Sequence, residues 1–164
     1  MAAEWPPRDV DSLDRWMLDE MPVLRGRPPD VMGYVEELAE KLARAEAEIH
    51  QPVNAKYSQI NVARTQHSDP TFNVAKKHLE GIAEMRTELE RVRPQIQRYE
   101  LAKTTLTEQR RRIIVLRYEE FIAPAEVMEI MELPKTTYYR EWRAAMEKIL
   151  NVLWFRAESG TEVG

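Results

Sequence analysis

The sequence predicts an all-α protein: an elongated helical N-terminal part that includes one long helix, followed by a C-terminal unit of short helices. Three observations predict it. Apolar residues recur at steps of three and four along most of the 164 residues, while alternating β-branched runs are scarce. Charged residues reach 32%, which suits long solvated helix faces, and 43% apolar residues are enough for a modest core. There are only five glycines, and several of the ten prolines stand where a helix would start or stop. A chain of this length can form one compact domain, or a small domain joined to an elongated helical part.

Residues 1–60 form an N-terminal helical region. Leu13, Trp16, Met17, Glu20 and Met21 share one mostly apolar face, with Asp11 or Ser12 as cap and Pro22 as the stop. A second helix is expected from about Asp30 to His50, with Val31, Val35, Leu38, Leu42, Ala45 and Ile49 as its stripe. Pro52 ends it, and 51–67 show no clear period and form a connection.

The region 61–105 carries the long helix. Asp69 or Ser68 can cap it, and Pro70 suits a first helical position. Leu79, Ile82, Met85, Leu89, Val92, Ile96 and Tyr99 approach a heptad seam. That seam can either pack on the preceding helix or hold two copies together as a dimer. Pro94 falls inside the run, where a kink or a break is expected.

Residues 106–155 form the third region, and 156–164 a flexible tail. Thr107 caps a helix that continues through Ile113, Ile114, Leu116, Arg117 and Tyr118. A short link runs from Glu119 to Ala123. Pro124 opens a helix with Val127, Met128 and Met131 inward. The turn Met131-Glu132-Leu133-Pro134 leads to a last helix from Lys135 to about Leu153, with Tyr138, Trp142, Ala145, Met146 and Ile149 inward. Two short helices, a three- to four-residue turn and apolar contacts from Val127, Leu133, Tyr138 and Trp142 define a helix-turn-helix. Glu132 occupies the turn position where glycine is usual, so it must take a left-handed conformation or one near it. Met128 stands where a small residue often sits, and its flexible side chain can fill such a site.

In this motif the second helix presents its N-terminal residues to the major groove. Here these are Lys135, Thr136, Thr137, Tyr139, Arg140 and Arg143, types suited to phosphates and base edges. Arg110, Arg111 and Arg112 on the preceding helix are either a solvated basic face or contacts to the DNA backbone. The net charge of −4 sits mainly in residues 1–60, with 7 basic and 12 acidic side chains; residues 107–150 balance at 8 and 8. Modest affinity from one copy follows, which favours a dimer.

The segment from Thr107-Glu108-Gln109-Arg110 to Ile149 resembles region four of bacterial sigma factors. The run Glu126–Arg140 matches the pattern in which a sigma-like recognition helix begins after the turn. With Ser68-Asp69-Pro70-Thr71, the long charged helix, Arg117-Tyr118 and Tyr138-Tyr139-Arg140, the chain is similar to phage-encoded transcriptional regulators of the RinA and ArpU type over roughly residues 60–150. The resemblance implies a sequence-specific DNA-binding regulator, an activator of phage or prophage genes, with no catalysis. Double-stranded DNA is the expected partner, with RNA polymerase a second one and a homodimer the expected assembly. A DNA-packaging module of the small-terminase kind also joins such a motif to an oligomerising helical part. A helical adaptor that never meets DNA would share the same apolar pattern.

Other chemistry has little support. The chain has no cysteine, which removes disulfides and thiolate metal sites and fits a reducing cytoplasm. His50, His67 and His78 are isolated from any ligand-spaced partner, so no metal is expected. His67, Ser68 and Asp69 are adjacent and cannot form triad geometry without special turns. No glycine-rich phosphate loop is present, so no enzyme and no cofactor is expected. Glu36-Glu37 and Glu119-Glu120 suit solvated faces. The N-terminus lacks a signal-peptide pattern, and no stretch approaches the roughly 18 apolar residues of a membrane span.

Overall fold

A computed structural model describes residues 4–50 and 70–163. The fold is all-α apart from one small hairpin. In chain order the elements are α1 (Val10–Asp19), α2 (Met21–Arg25), β1 (Gly26–Arg27), β2 (Val31–Met32), α3 (Tyr34–His50), α4 (Pro70–Thr104), α5 (Glu108–Ile114), a π-helical turn (Val115–Glu119), α6 (Pro124–Met131) and α7 (Lys135–Val163). No described helix is long and apolar enough to cross a membrane.

The chain forms two compact units, and their boundaries cut across the linear order of the sequence. The first joins residues 1–34 to 93–164; the second is 35–92. The N-terminal region expected as one piece is thus divided, and its first helices share a unit with the helix-turn-helix. The long helix α4 passes from one unit into the other without a break, although Pro94 lies inside it. The missing donor at Pro94 costs one backbone bond. Val92 and Gln95 on either side of it are buried.

In the first unit, α1 is capped by Asp9 rather than by Asp11 or Ser12: its Oδ1 accepts from the Ser12 amide at 2.8 Å. That bond holds the Asp9 carboxyl below the usual carboxylate range. The expected face is buried, with Leu13, Trp16 and Met17 fully enclosed. Pro22 sits in the first turn of α2 instead of simply ending α1, as its fixed φ allows. Trp16 is the hub. Its ring packs against Trp5 and Tyr99, and its Nε1 donates to Gln95 Oε1 at 3.2 Å.

Residues expected at the start of the second helix instead form the hairpin, with Gly26 opposite Met32 and Arg27 opposite Val31. Val31 is therefore exposed on a strand, not part of a helical stripe. Gly26 (φ +74°) and Gly33 are both required. A Cβ on Gly26 would lie 2.3 Å from the Gly33 amide nitrogen, and one on Gly33 would lie 2.3 Å from the Arg25 carbonyl carbon.

In the second unit, Leu38 and Leu42 of α3 and Ile82, Leu89 and Val92 of α4 are buried. Glu48 lies near His78, and Glu46 bonds Arg86, so the two helices lie side by side. The heptad-like seam is thus largely covered within one chain at Ile82, Leu89 and Val92, and Tyr99 is covered in the first unit. Leu79, expected in the seam, is exposed, as are Phe72, Val74 and Ile49. The expected connection at 51–67 and the caps at Ser68 and Asp69 lie outside the described residues; Pro70 is the first helical residue of α4.

The last helix does not end near Leu153. It continues to Val163, so residues 156–163 are helical rather than a tail. The apolar stripe stops at Leu153, but extending a formed helix past its last packed residue costs little.

Candidate nucleic-acid interface

The helix-turn-helix is built from α5, α6 and α7. Thr107 caps α5, its Oγ1 accepting from the Arg110 amide. Pro124 occupies the first turn of α6. Glu132 ends α6 at φ 55°, ψ 45°, in the left-handed region. The Leu133 amide then donates back to Met128 O at 3.0 Å, and the Glu132 amide donates to Glu129 O. These bonds satisfy carbonyls that the helix end would leave open. They also offset the cost of a non-glycine residue in that conformation.

A small apolar cluster holds the crossing. Ile113, Leu116, Val127 and Tyr138 are buried together, and Ile122, Met128, Met131, Leu133 and Trp142 pack around them. All four residues expected to lock the motif are present: Val127 and Tyr138 fully, Leu133 and Trp142 in part. Further along α7, Ala145, Met146, Ile149 and Leu153 are fully buried. The Trp142 indole donates to the Tyr118 hydroxyl at 2.9 Å, and that hydroxyl donates to Asp14 Oδ1 at 2.5 Å. This chain ties α7 to the π-helical turn and to α1. Burial and the Asp14 carboxylate push the Tyr118 hydroxyl pKa up, while the Trp142 bond pulls it down.

The outward face of α7 is open. Lys135, Thr136, Tyr139, Arg140 and Arg143 are exposed, and Thr137 is half-buried. Tyr139 is 43% exposed, yet its ring is supported edge-on by Tyr138 at 5.0 Å and Trp142 at 6.4 Å. It is therefore presented on an aromatic base, which limits the rotamer freedom lost on contact. Arg140 lies 3.7 Å from Glu141 with its side chain 73% exposed, a weak and screened pair. Glu126, Glu129 and Glu132 of α6 are exposed nearby in sequence and offset part of the positive charge.

The arginine triplet divides. Arg110 Nε donates to Glu141 Oε2 at 2.8 Å, a pair that holds the Glu141 carboxyl below the usual range. Arg111 donates to three carbonyls at the end of α4, those of Lys103, Thr104 and Leu106. These two join α5 to its neighbours. Arg112 is exposed.

Glu119, expected on a solvated face, is instead mostly buried, its side chain 9% exposed. It accepts from the Tyr99 hydroxyl at 2.7 Å and pairs with Lys103 Nζ at 2.8 Å and Arg25 Nη2 at 2.8 Å. Glu100 completes the cluster by pairing with Arg25 and Lys103. Burial pushes the Glu100 carboxyl up, but the bonds from Arg25 and Lys103 outweigh it and hold the group low. Burial and the Glu119 carboxylate both push the Tyr99 hydroxyl up. No group of three metal-binding side chains occurs among the described residues.

Sequence reasoning missed this cluster and the hairpin. Gly26 with Pro28, Pro29 and Asp30 is a recognisable turn signal. Nothing local marks Glu119, because its partners come from distant segments. Compared with known proteins, the chain matches no family model, no curated protein and no solved structure.

Proposed function

We propose that this protein binds duplex DNA in a sequence-specific manner and regulates transcription, with the first turns of α7 inserted in the major groove. The observation that carries the reading is the separation of faces on α7. Tyr138 and Trp142 lock the helix to α5 and α6, while Lys135, Thr136, Tyr139, Arg140 and Arg143 stay open beside a tight left-handed turn. A helix held by one face and bearing amphoteric and basic groups on the other suits groove entry. The likeness to phage regulators of the RinA and ArpU type supports activation of phage or prophage genes in the cytoplasm, with RNA polymerase as a second partner. The balanced charge of residues 107–150 favours two copies acting together. Two copies would join through a surface other than Leu89 and Val92, which are buried within one chain.

The test has two stages. Titration of the purified chain with genomic fragments at fixed salt should select a preferred duplex over mixed-sequence DNA. Genome-wide occupancy in the host should then fall at promoters. Occupancy confined to a packaging site would replace transcription by DNA packaging, and absence of any duplex binding would overturn the reading.

A further inference from the structure

We infer that the N-terminal hairpin forms a second DNA contact, in which Arg27 grips a backbone phosphate flanking the site read by α7; this rests on the DNA-binding reading above. Three observations place Arg27 there.

First, α1 runs antiparallel to α7. The Trp154 indole donates to Pro7 O at 2.6 Å, while Asp14 shares the Tyr118 hydroxyl with Trp142. Moving up the chain from Pro7 to Asp14 therefore moves down α7 from Trp154 to Trp142, toward its N-terminal end. The chain leaving α1 arrives at the end of α7 that would meet DNA.

Second, the root of the hairpin is clamped. Arg25, the last residue of α2, pairs with both Glu119 and Glu100. Gly26 and Gly33 allow the two backbone strands to approach without room for a Cβ. The position of the next residue, Arg27, is thus determined by a mostly buried ion cluster rather than by a loose loop.

Third, the Arg27 guanidinium lies over the Phe121 ring, 5.9 Å from its centroid. Phe121 is 48% exposed with φ 59°, a conformation that a bulky residue rarely adopts. It stands in the link just before α6, the helix that crosses the DNA backbone in this motif. A half-exposed large aromatic there supplies a face for a cation. Stacked on it, the guanidinium retains its donor fork for a phosphate. Such a contact answers an electrostatic need, because Glu126, Glu129 and Glu132 leave α6 acidic and Arg110 and Arg111 are bonded internally.

The experiment measures binding of the full chain to its preferred duplex and to a mixed-sequence duplex across a salt series. Arg27→Ala should weaken binding to both duplexes by the same factor and lower the salt slope by about 0.9. Between about 50 and 200 mM salt the variant should therefore lose roughly 3.5-fold less affinity than the parent. Arg27→Lys should restore most of the slope, and Phe121→Ala should lower affinity for both duplexes with Arg27 still in place. Thermal midpoints should stay at the parent value for both Arg27 variants. A parent chain that binds duplex DNA while Arg27→Ala leaves the slope unchanged overturns this inference alone. A loss confined to the preferred duplex also overturns it, since that would be base reading. A parent chain that binds neither duplex overturns the DNA-binding reading and the inference together.

Discussion

Two sets of basic residues look alike in the sequence and differ in what they bond in the fold. Arg110 and Arg111 on α5 are bonded within the protein, one to Glu141 and the other to carbonyls at and just past the end of α4. Lys135, Arg140 and Arg143 on α7 remain exposed. The difference lies in what each helix face meets. The α5 face lies beside an acidic residue of α7 and an open helix end, both strong acceptors for a guanidinium. The α7 face meets solvent because Tyr138 and Trp142 use the opposite side of the same helix for packing. A basic cluster on a short helix is therefore weak grounds for a nucleic-acid contact until the carboxylates and helix termini around it are known.

This contrast can be broken most severely at the packing side. Tyr138→Ala should cost about 3–5 kcal/mol, the range for removing a fully buried large aromatic. It should abolish DNA binding by releasing α7, and a urea midpoint measured beside a binding titration checks both. Trp142→Ala should cost less than Tyr138→Ala, since Trp142 is only partly buried. Next in size is Glu119→Ala, expected to cost about 3 kcal/mol because Arg25 and Lys103 lose their mostly buried counter-charge. If the ion cluster serves only the hairpin, the same variant should keep the near-ultraviolet dichroism of the helix-turn-helix aromatics. A collapse of that signal would show that the cluster supports the whole unit.

The open side should respond in the opposite way. Arg140→Ala should leave the unfolding free energy within about 0.5 kcal/mol of the parent, as for an exposed side chain. It should lose about 1–3 kcal/mol of affinity on the preferred duplex and little on mixed-sequence DNA. Equal losses on both duplexes would make Arg140 a phosphate contact, and no loss on either would remove α7 as the reading helix.

The triplet on α5 then sharpens the comparison residue by residue. Arg110→Ala should lower stability by about 1 kcal/mol through the lost bond to Glu141, while the salt slope of binding stays unchanged. Arg112→Ala should do the reverse, with stability unchanged and a slope smaller by about 0.9 if it touches phosphate. A reduced slope for Arg110→Ala would mean that the Glu141 pair opens on DNA.

The smallest effect expected is a pH dependence from Glu100. Its carboxyl is held below the ordinary value of 4.5 in the folded chain, because Arg25 and Lys103 outweigh the opposing effect of burial. The folded state therefore binds fewer protons than the unfolded one in that range. The stabilisation is complete above the unfolded pKa and is lost as pH falls from about 4.5 through the lower folded value. Denaturation midpoints followed down through this window should fall less steeply for Glu100→Gln than for the parent. Identical slopes would show that the group contributes nothing to acid stability.

Much of the helix-turn-helix is legible along the chain because its determinants are local. Thr107 lies three residues before the amide it caps. Pro124 occupies a first turn, and the offsets of Val127, Leu133, Tyr138 and Trp142 follow from helical period alone. Even the left-handed backbone at Glu132 follows from its place in the turn. The buried half of the long helix is legible for the same reason, since Ile82, Leu89, Val92 and Tyr99 keep a regular spacing.

What periodicity could not say is which surface each stripe would cover. Whether the seam of α4 packed within the chain or between chains depended on where α3 and the N-terminal helix came to rest. The division of the arginine triplet, the burial of Glu119 and the outward Phe121 ring share that origin. Most of these contacts join groups far apart in the sequence: Arg110 meets Glu141 across 31 residues, Asp14 meets Tyr118 across 104, and Pro7 meets Trp154 across 147. Helix period, caps and proline positions act over one or two turns and can be read one segment at a time. Ion pairs and side-chain hydrogen bonds between segments form only where the packed chain places both partners within about 3 Å in a shielded setting. Tertiary packing therefore decides which charges remain available to a ligand.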